Sequence, residues 1–295
     1  MNDTPNVQWF PGHMARTRRQ IREALPLVDA VVELRDARLP ESSRNPELDT
    51  LTAAKPRIVL LNKCDLADEV ATARWLQLLR RTGFVALAVD CRGGKGLQRF
   101  PDTVRQSLAE LIRARQAKGM AGRPLRLMVV GIPNTGKSSF INRMSNQANR
   151  RSRAQVADRP GVTRQNQWFP IGSAGGVKLE LLDTPGVLWP KFEDPAVGDK
   201  LAFIGSVKDT VLDGEALALR LLALLRRDYP DRLRARYQLR DGTPDGEPWQ
   251  LLEEIAQRRG MRLPGGEPDL SRAAAALLED FRSGRLGRVT LDAAG

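Results

Sequence analysis

Residues 131–138 read Gly131-Ile132-Pro133-Asn134-Thr135-Gly136-Lys137-Ser138: two glycines five apart, then a lysine and a hydroxyl. The spacing G-x-x-x-x-G-K-[ST] suits a polyphosphate. Glycines let successive backbone N–H groups curl around phosphate oxygens. A helix starting at once points its positive end at the same anion. In this chemistry Lys137 reaches the β- and γ-phosphates, the Ser138 hydroxyl takes Mg²⁺, and Asn134, Thr135, Gly136 and Ser139 complete the cradle. The flanks fit, since the apolar run LRLMVVG precedes the loop and the helical pattern SSFINRM follows it.

Asp183-Thr184-Pro185-Gly186 closes another apolar run, VKLELLD, 46 residues beyond Lys137. A carboxylate at such a strand end holds Mg²⁺ through water, and the Gly186 N–H is placed to sense a γ-phosphate. Between the two motifs lies Pro160-Gly161-Val162-Thr163 in an Arg-rich stretch. Thr163 is the candidate switch threonine that completes Mg²⁺ coordination. The plainer reading is an ordinary loop threonine.

Asn62-Lys63-Cys64-Asp65 closes the run PRIVLLN. A carboxylate at Asp65 accepts from both N1–H and the exocyclic amino group of guanine. Adenine lacks that donor pair and would leave the carboxylate unpaired. Lys63 would lie over the base plane, and Asn62 would tie this loop to the phosphate loop. A second base-contacting loop is expected at Cys91-Arg92-Gly93-Gly94-Lys95-Gly96, with Cys91 at its start, although Arg92 stands where alanine is usual. GTP-hydrolysing domains ordinarily carry these two base loops last, whereas here they come first. Exchanging the order preserves the site if the old termini are joined and new ones opened elsewhere, which compact domains tolerate.

The elements that must position these residues are legible as short apolar runs at 28–34, 56–62, 84–90, 125–131, 166–171 and 177–183, with helical patterns at 69–81 and 97–118. The alternation predicts an α/β domain with a mostly parallel sheet, and the continuous apolar runs predict strands buried on both faces. Beyond about residue 190 only helical periodicity remains, at 216–225, 249–259 and 270–282. The expected division is an N-terminal segment 1–20, a permuted GTPase domain 21–195 and a smaller all-helical domain 200–295.

The chain has 295 residues and a net charge of +12. Six arginines and one aspartate lie in 143–164, and six arginines and two aspartates in 226–240. Arginine in clusters suits phosphate, so nucleic acid is the expected partner. Cys64 and Cys91 are the only cysteines and form no metal or disulfide framework. The first ten residues lack the basic and apolar regions of a secretory signal, and no apolar run nears the roughly 20 residues of a membrane span. A cytoplasmic monomer is the expectation.

With these motifs in place, the sequence resembles the circularly permuted GTPases of ribosome assembly, of the ribosome biogenesis GTPase A type. The resemblance runs over nearly the whole chain. It includes Trp9-Phe10-Pro11-Gly12-His13-Met14, Asp36-Ala37-Arg38-Leu39-Pro40, Lys208-Asp209 and the stretch 280–287, DFRSGRLG. It implies late maturation of the large ribosomal subunit, with ribosomal RNA as the main partner. It also implies a potassium ion beside Asn134. Standard enzymes place a water-orienting Gln after D-x-x-G, but Val187 stands here, as in the family. His13, the only histidine, sits in a Pro-Gly turn that could swing over the γ-phosphate and orient water; the competing reading makes it part of a packing plug with Trp9 and Phe10. Two other functions stay open on sequence: a GTP-dependent switch that does not act on the ribosome, and a P-loop kinase, against which the guanine motif argues.

Overall fold

The central apolar runs become strands because their residues can be buried on both sides of a sheet that helices cover, while the edge strand Trp168–Ala174 alternates buried and exposed residues. The computed structural model describes residues 11–120, 122–148, 167–186, 194–207, 213–240 and 247–294, the side chains of 11–14 and 147–148 excepted. The chain forms two units, Met1–Lys191 with Ala294–Gly295, and Phe192–Ala293.

In the first unit, β1 (Ala30–Asp36), β2 (Arg57–Asn62), β3 (Val85–Val89), β4 (Leu125–Val130), β5 (Trp168–Ala174) and β6 (Val177–Asp183) form one sheet in the order β3-β2-β1-β4-β6-β5. All neighbours are parallel except the β5–β6 edge pair. Strands β1 to β3 are laid down in one direction and β4 to β6 in the other, so chain order reverses between β1 and β4. In such sheets the crevice at the carboxyl ends of the reversing strands is where ligands bind.

Helices cover both faces. On one, Phe100 and Val104 of α4 (Phe100–Ser107) meet Phe140, Ile141 and Met144 of α6 (Lys137–Ala148) over β1, β2 and β4. The Phe100 and Phe140 rings meet edge-on with centroids 5.0 Å apart. The expected helix over 97–118 is broken near Leu108 into α4 and α5 (Ala109–Ala117). On the other face Ile21 and Ala24 of α1 (Pro11–Ala24) and Leu48 of α2 (Pro46–Leu51) pack against Val31, Met128, Val130 and Leu182. Trp75 and Leu79 of α3 (Glu69–Arg81) pack against Val59, Leu61 and Ala86.

The structure differs from the sequence expectation in two further places. Pro11-Gly12-His13 is not a turn but the first turn of α1. Proline is suited to that position, where its missing N–H is not needed. Strand β1 also buries a charge cluster that apolar patterning does not show. Glu33 and Arg35 are each about 1% exposed and joined by two hydrogen bonds of 3.0 and 3.1 Å, with Arg57 donating to the same carboxylate at 3.1 Å.

The second unit holds α7 (Pro195–Phe203), α8 (Gly214–Asp228), α9 (Pro230–Tyr237), α10 (Pro248–Arg258) and α11 (Leu270–Ser283). The helices start where sequence supplies caps: Asp194, Asp213 and Asp269 accept from first-turn N–H groups, and Glu247 with Gln250 forms a capping box. Gly284, in the left-handed region, ends α11. Leu221, Leu222, Leu251, Ile255, Leu277 and Phe281 fill the core.

Candidate nucleotide site

The phosphate loop connects β4 to α6. Gly131 needs its glycine: φ is +150°, and a Cβ would stand 2.5 Å from the Leu34 carbonyl. Gly136, at φ +97°, would bring a Cβ to 2.2 Å from Asn62 Nδ2. Thr135 Oγ1 donates to the Ile132 carbonyl at 2.9 Å, which closes the loop on itself. Lys137 opens α6 and turns its Nζ onto the carbonyls of Gly131 (3.0 Å) and Ile132 (2.9 Å). Burial pushes its ammonium down to about 8, and the negative charge of Asp183 opposes that fall. Ser138 and Ser139 are half-buried in the same first turn.

Asp183 ends β6 beside β4, in register with Val129. Thr184 Oγ1 donates to the Val129 carbonyl at 2.6 Å, pinning the D-x-x-G turn to the strand that feeds the phosphate loop. A Cβ on Gly186 would lie 3.0 Å from Lys137 Nζ and 3.1 Å from the Pro133 nitrogen. The Gly186 turn and the loop over 131–138 are therefore in direct apposition.

The base-reading loop arrives from β2. Asn62 is 2% exposed and uses both ends of its amide. Nδ2 donates to the Thr135 carbonyl at 2.7 Å, and Oδ1 accepts from the Cys91 N–H at 3.0 Å. An aspartate could not donate and a leucine could do neither, so the role requires an amide. One side chain thus joins its own loop to two others, 29 and 73 positions away in sequence. Lys63 Nζ donates to the Asn134 carbonyl at 2.7 Å. Asp65 is exposed at the loop tip. Cys91 acts through its backbone, and burial pushes its thiol well above the ordinary thiol range.

Two residues of this region have no signal in the motifs. Asp90 accepts from the N–H groups of Arg92 (2.8 Å) and Gly93 (2.9 Å), shaping the second base loop as an Asx turn. Arg143 of α6 donates from Nη2 to the Gly93 carbonyl at 2.9 Å and so ties that loop to the phosphate-loop helix. The tie is long in sequence, 50 positions, and no local pattern announces it. A third, Asp36, was visible only as part of the DARLP stretch, with no role attached; it lies at the end of β1, opposite Asn62.

The structure thus brings together Asn62, Lys63, Cys91, Asn134, Thr135, Gly136, Lys137 and Gly186. Thr163 and Val187 lie outside the described residues. For His13 the backbone is in α1, and its side chain lies outside the description.

Strand order and motif order together define the class: a P-loop GTPase domain whose base-reading half precedes its phosphate-binding half. A family model described as "50S ribosome-binding GTPase" matches residues 126–227. Over 287 residues the chain is 45% identical to Ribosome biogenesis GTPase A of Priestia megaterium, covering 97% of this chain and 96% of that one. It is 36% identical over 299 residues to Mitochondrial ribosome-associated GTPase 1 of Mus musculus, covering 97% and 90%. Among solved structures, GDP-bound TM YlqF superposes with a TM-score of 0.66 at 27% identity, over 93% of this chain and 99% of that one. The chain belongs to the ribosome biogenesis GTPase A family.

Proposed function

We propose that this protein hydrolyses GTP to GDP and phosphate as an assembly factor for a late step of large (50S) ribosomal subunit maturation, in contact with ribosomal RNA. The observation that carries the nucleotide reading is the Asn62 bridge, which ties the N-K-x-D loop, the second base loop and the phosphate loop to one another. In this reading Asp65 takes the guanine N1–H and amino groups, Lys63 covers the base, and Cys91 offers its loop to the base edge. Asn134, Thr135, Gly136, Lys137, Ser138 and Ser139 hold the phosphates, and the Gly186 N–H senses the γ-phosphate.

Mg²⁺ fits the residues present. Ser138 offers a hydroxyl next to Lys137, whose ammonium feels the Asp183 carboxylate. A hydroxyl and one carboxylate, with phosphate oxygens and water, are the donors this ion takes in such sites. When bound it neutralises charge on the β- and γ-phosphates. Thr163 is proposed as the switch ligand. A potassium ion beside Asn134 is proposed on family resemblance. His13 is proposed to orient the attacking water, because Val187 cannot.

The division into segment 1–20, GTPase domain 21–195 and RNA-contacting helical domain 200–295 belongs to the same proposal, as do a monomeric state and a cytoplasmic site of action. Among the described residues no helix is long and apolar enough to cross a membrane. The test is sedimentation with large-subunit particles in a non-hydrolysable GTP analogue and in GDP. Co-sedimentation only with the analogue is expected. Absence from the particles in both states, with GTP still bound, would leave a GTP switch that does not act on the ribosome.

A further inference from the structure

Among the described residues three non-glycine residues have positive φ: Lys63 (61°), Asn134 (63°) and Gln238 (54°). Two of the three are joined by one hydrogen bond, Lys63 Nζ to the Asn134 carbonyl, 2.7 Å long. Asparagine enters this region readily but lysine does not, so the surroundings must hold Lys63 there. The N-K-x-D and phosphate-loop motifs do not say what does.

The answer lies at the end of β1. Asp36 is fully buried and takes Arg38 in a two-pronged grip, Nε to Oδ1 at 2.9 Å and Nη2 to Oδ2 at 2.8 Å. The Arg38 N–H donates to Oδ1 as well, at 3.0 Å. The backbone on either side is anchored: the Asp36 N–H donates to Ser43 Oγ at 3.0 Å, and the Ala37 N–H to the Asn62 carbonyl at 2.7 Å. Held this firmly, the carboxylate presents Oδ2 to Lys63 Nζ at 2.9 Å. The Lys63 ammonium is thus stretched between a carboxylate on β1 and a carbonyl of the phosphate loop, while its side chain stays 25% exposed.

We propose that Asp36, locked by Arg38, is a positioning residue for guanine recognition, holding the Lys63 side chain across the base site and coupling that site to the phosphate loop through Asn134. The inference rests on the nucleotide reading given above. Asp36 touches no nucleotide itself and acts through Lys63. Without its negative charge the buried Arg38 and the part-exposed Lys63 face each other as two cations, and Lys63 leaves the Asn134 carbonyl for solvent.

The test is a double-mutant cycle on GDP affinity, read with a fluorescent GDP analogue well below the melting temperature, in wild type, Asp36→Asn, Lys63→Met and the double variant. Asp36→Asn is expected to weaken binding about 10- to 100-fold, the scale of one hydrogen bond to a charged group. In the Lys63→Met background the same change is expected to have almost no effect. An equal loss in both backgrounds means that Asp36 merely supports the fold and overturns the proposal, as does unchanged affinity in Asp36→Asn. If Asp36→Asn does not fold, Arg38→Lys keeps the charge but loses the fork; a several-fold loss that vanishes with Lys63→Met supports the proposal, and an unaltered affinity overturns it. A wild-type protein that binds no guanine nucleotide would sink the nucleotide reading itself, which is a different failure.

Discussion

Single side chains carry the nucleotide reading, and three of them make separable predictions. Asp65 is exposed at the tip of a loop that Asn62 fixes, so its carboxylate is free of a structural task in that bridge. Asp65→Asn is expected to weaken GTP and to favour xanthosine nucleotides, because an amide donor suits the 2-oxo group; competition binding with both nucleotides reads it, and loss without gain counts against Asp65 as base reader. Lys137 is a buried cation whose ammonium is turned onto two loop carbonyls. Lys137→Ala is expected to abolish tight nucleotide binding while melting temperature stays near wild type, since the cost of burying the ammonium offsets its two hydrogen bonds. Unchanged GTP affinity would remove the phosphate-loop assignment. His13→Ala is expected to leave GTP affinity near wild type and to cut subunit-stimulated turnover by roughly 10²–10⁴-fold, the contribution of a positioned acid–base group. A packing role predicts the reverse pattern, with lower melting temperature and a normal stimulated rate per folded molecule.

Helices, strands and loops set these side chains, and the helical unit offers the clearest test of such an arrangement. Asp280 of α11 is 4% exposed and accepts from Arg236 Nε (2.8 Å) and Nη2 (3.0 Å), from Tyr237 Oη (3.0 Å) and from Arg285 Nε (3.0 Å). Burial pushes its carboxyl upward, but the Arg236 and Tyr237 hydrogen bonds and the neighbouring arginines outweigh it and hold the group below its ordinary value of 3.8. A carboxylate lowered on folding stabilises above its unfolded value, and that stability is lost as pH falls through the lowered one. Asp280→Asn is expected to cost about 3 kcal/mol near neutral pH and to blunt the acid limb of the stability profile, read by urea unfolding across pH. Ion pairing also divides the arginine cluster at 226–240. Arg236 is committed to the fold by Asp280, whereas Arg227 and Arg234 make only exposed pairs with their near neighbours Asp228 and Asp231. Reversal of exposed Arg227, Arg232 and Arg240, sparing Arg236, is expected to weaken subunit binding and flatten its salt dependence; indifference to both would remove this surface as the RNA anchor. The strands were legible from sequence because they are continuous apolar runs, and the phosphate and guanine loops because fixed chemistry demands fixed spacing. What escaped was set by tertiary partners. Glu33 and Arg35 break the apolar pattern yet are buried as a pair, α1 begins where Pro-Gly suggested a turn, and Arg143 and Asp36 act across distances that no local pattern spans.

Permutation gives the protein its functional logic. With the base-reading half first, β6 and its D-x-x-G end lie last in the GTPase unit, and the chain runs from there directly into the helical unit that begins at Phe192. Gly186, proposed to sense the γ-phosphate, is therefore joined through the backbone to the arginine-rich helices proposed to contact RNA. The absence of a Gln after D-x-x-G in sequence, where Val187 stands, implies slow hydrolysis by the protein alone. Docking on the subunit is expected to complete the site and trigger turnover. The direct measurement is the steady-state rate of GTP hydrolysis by the purified protein with and without large ribosomal subunits. A slow basal rate that large subunits raise by on the order of 10²-fold or more is expected, with small subunits inert. A rate that large subunits leave unchanged, at concentrations where the protein is bound to them, would contradict that expectation.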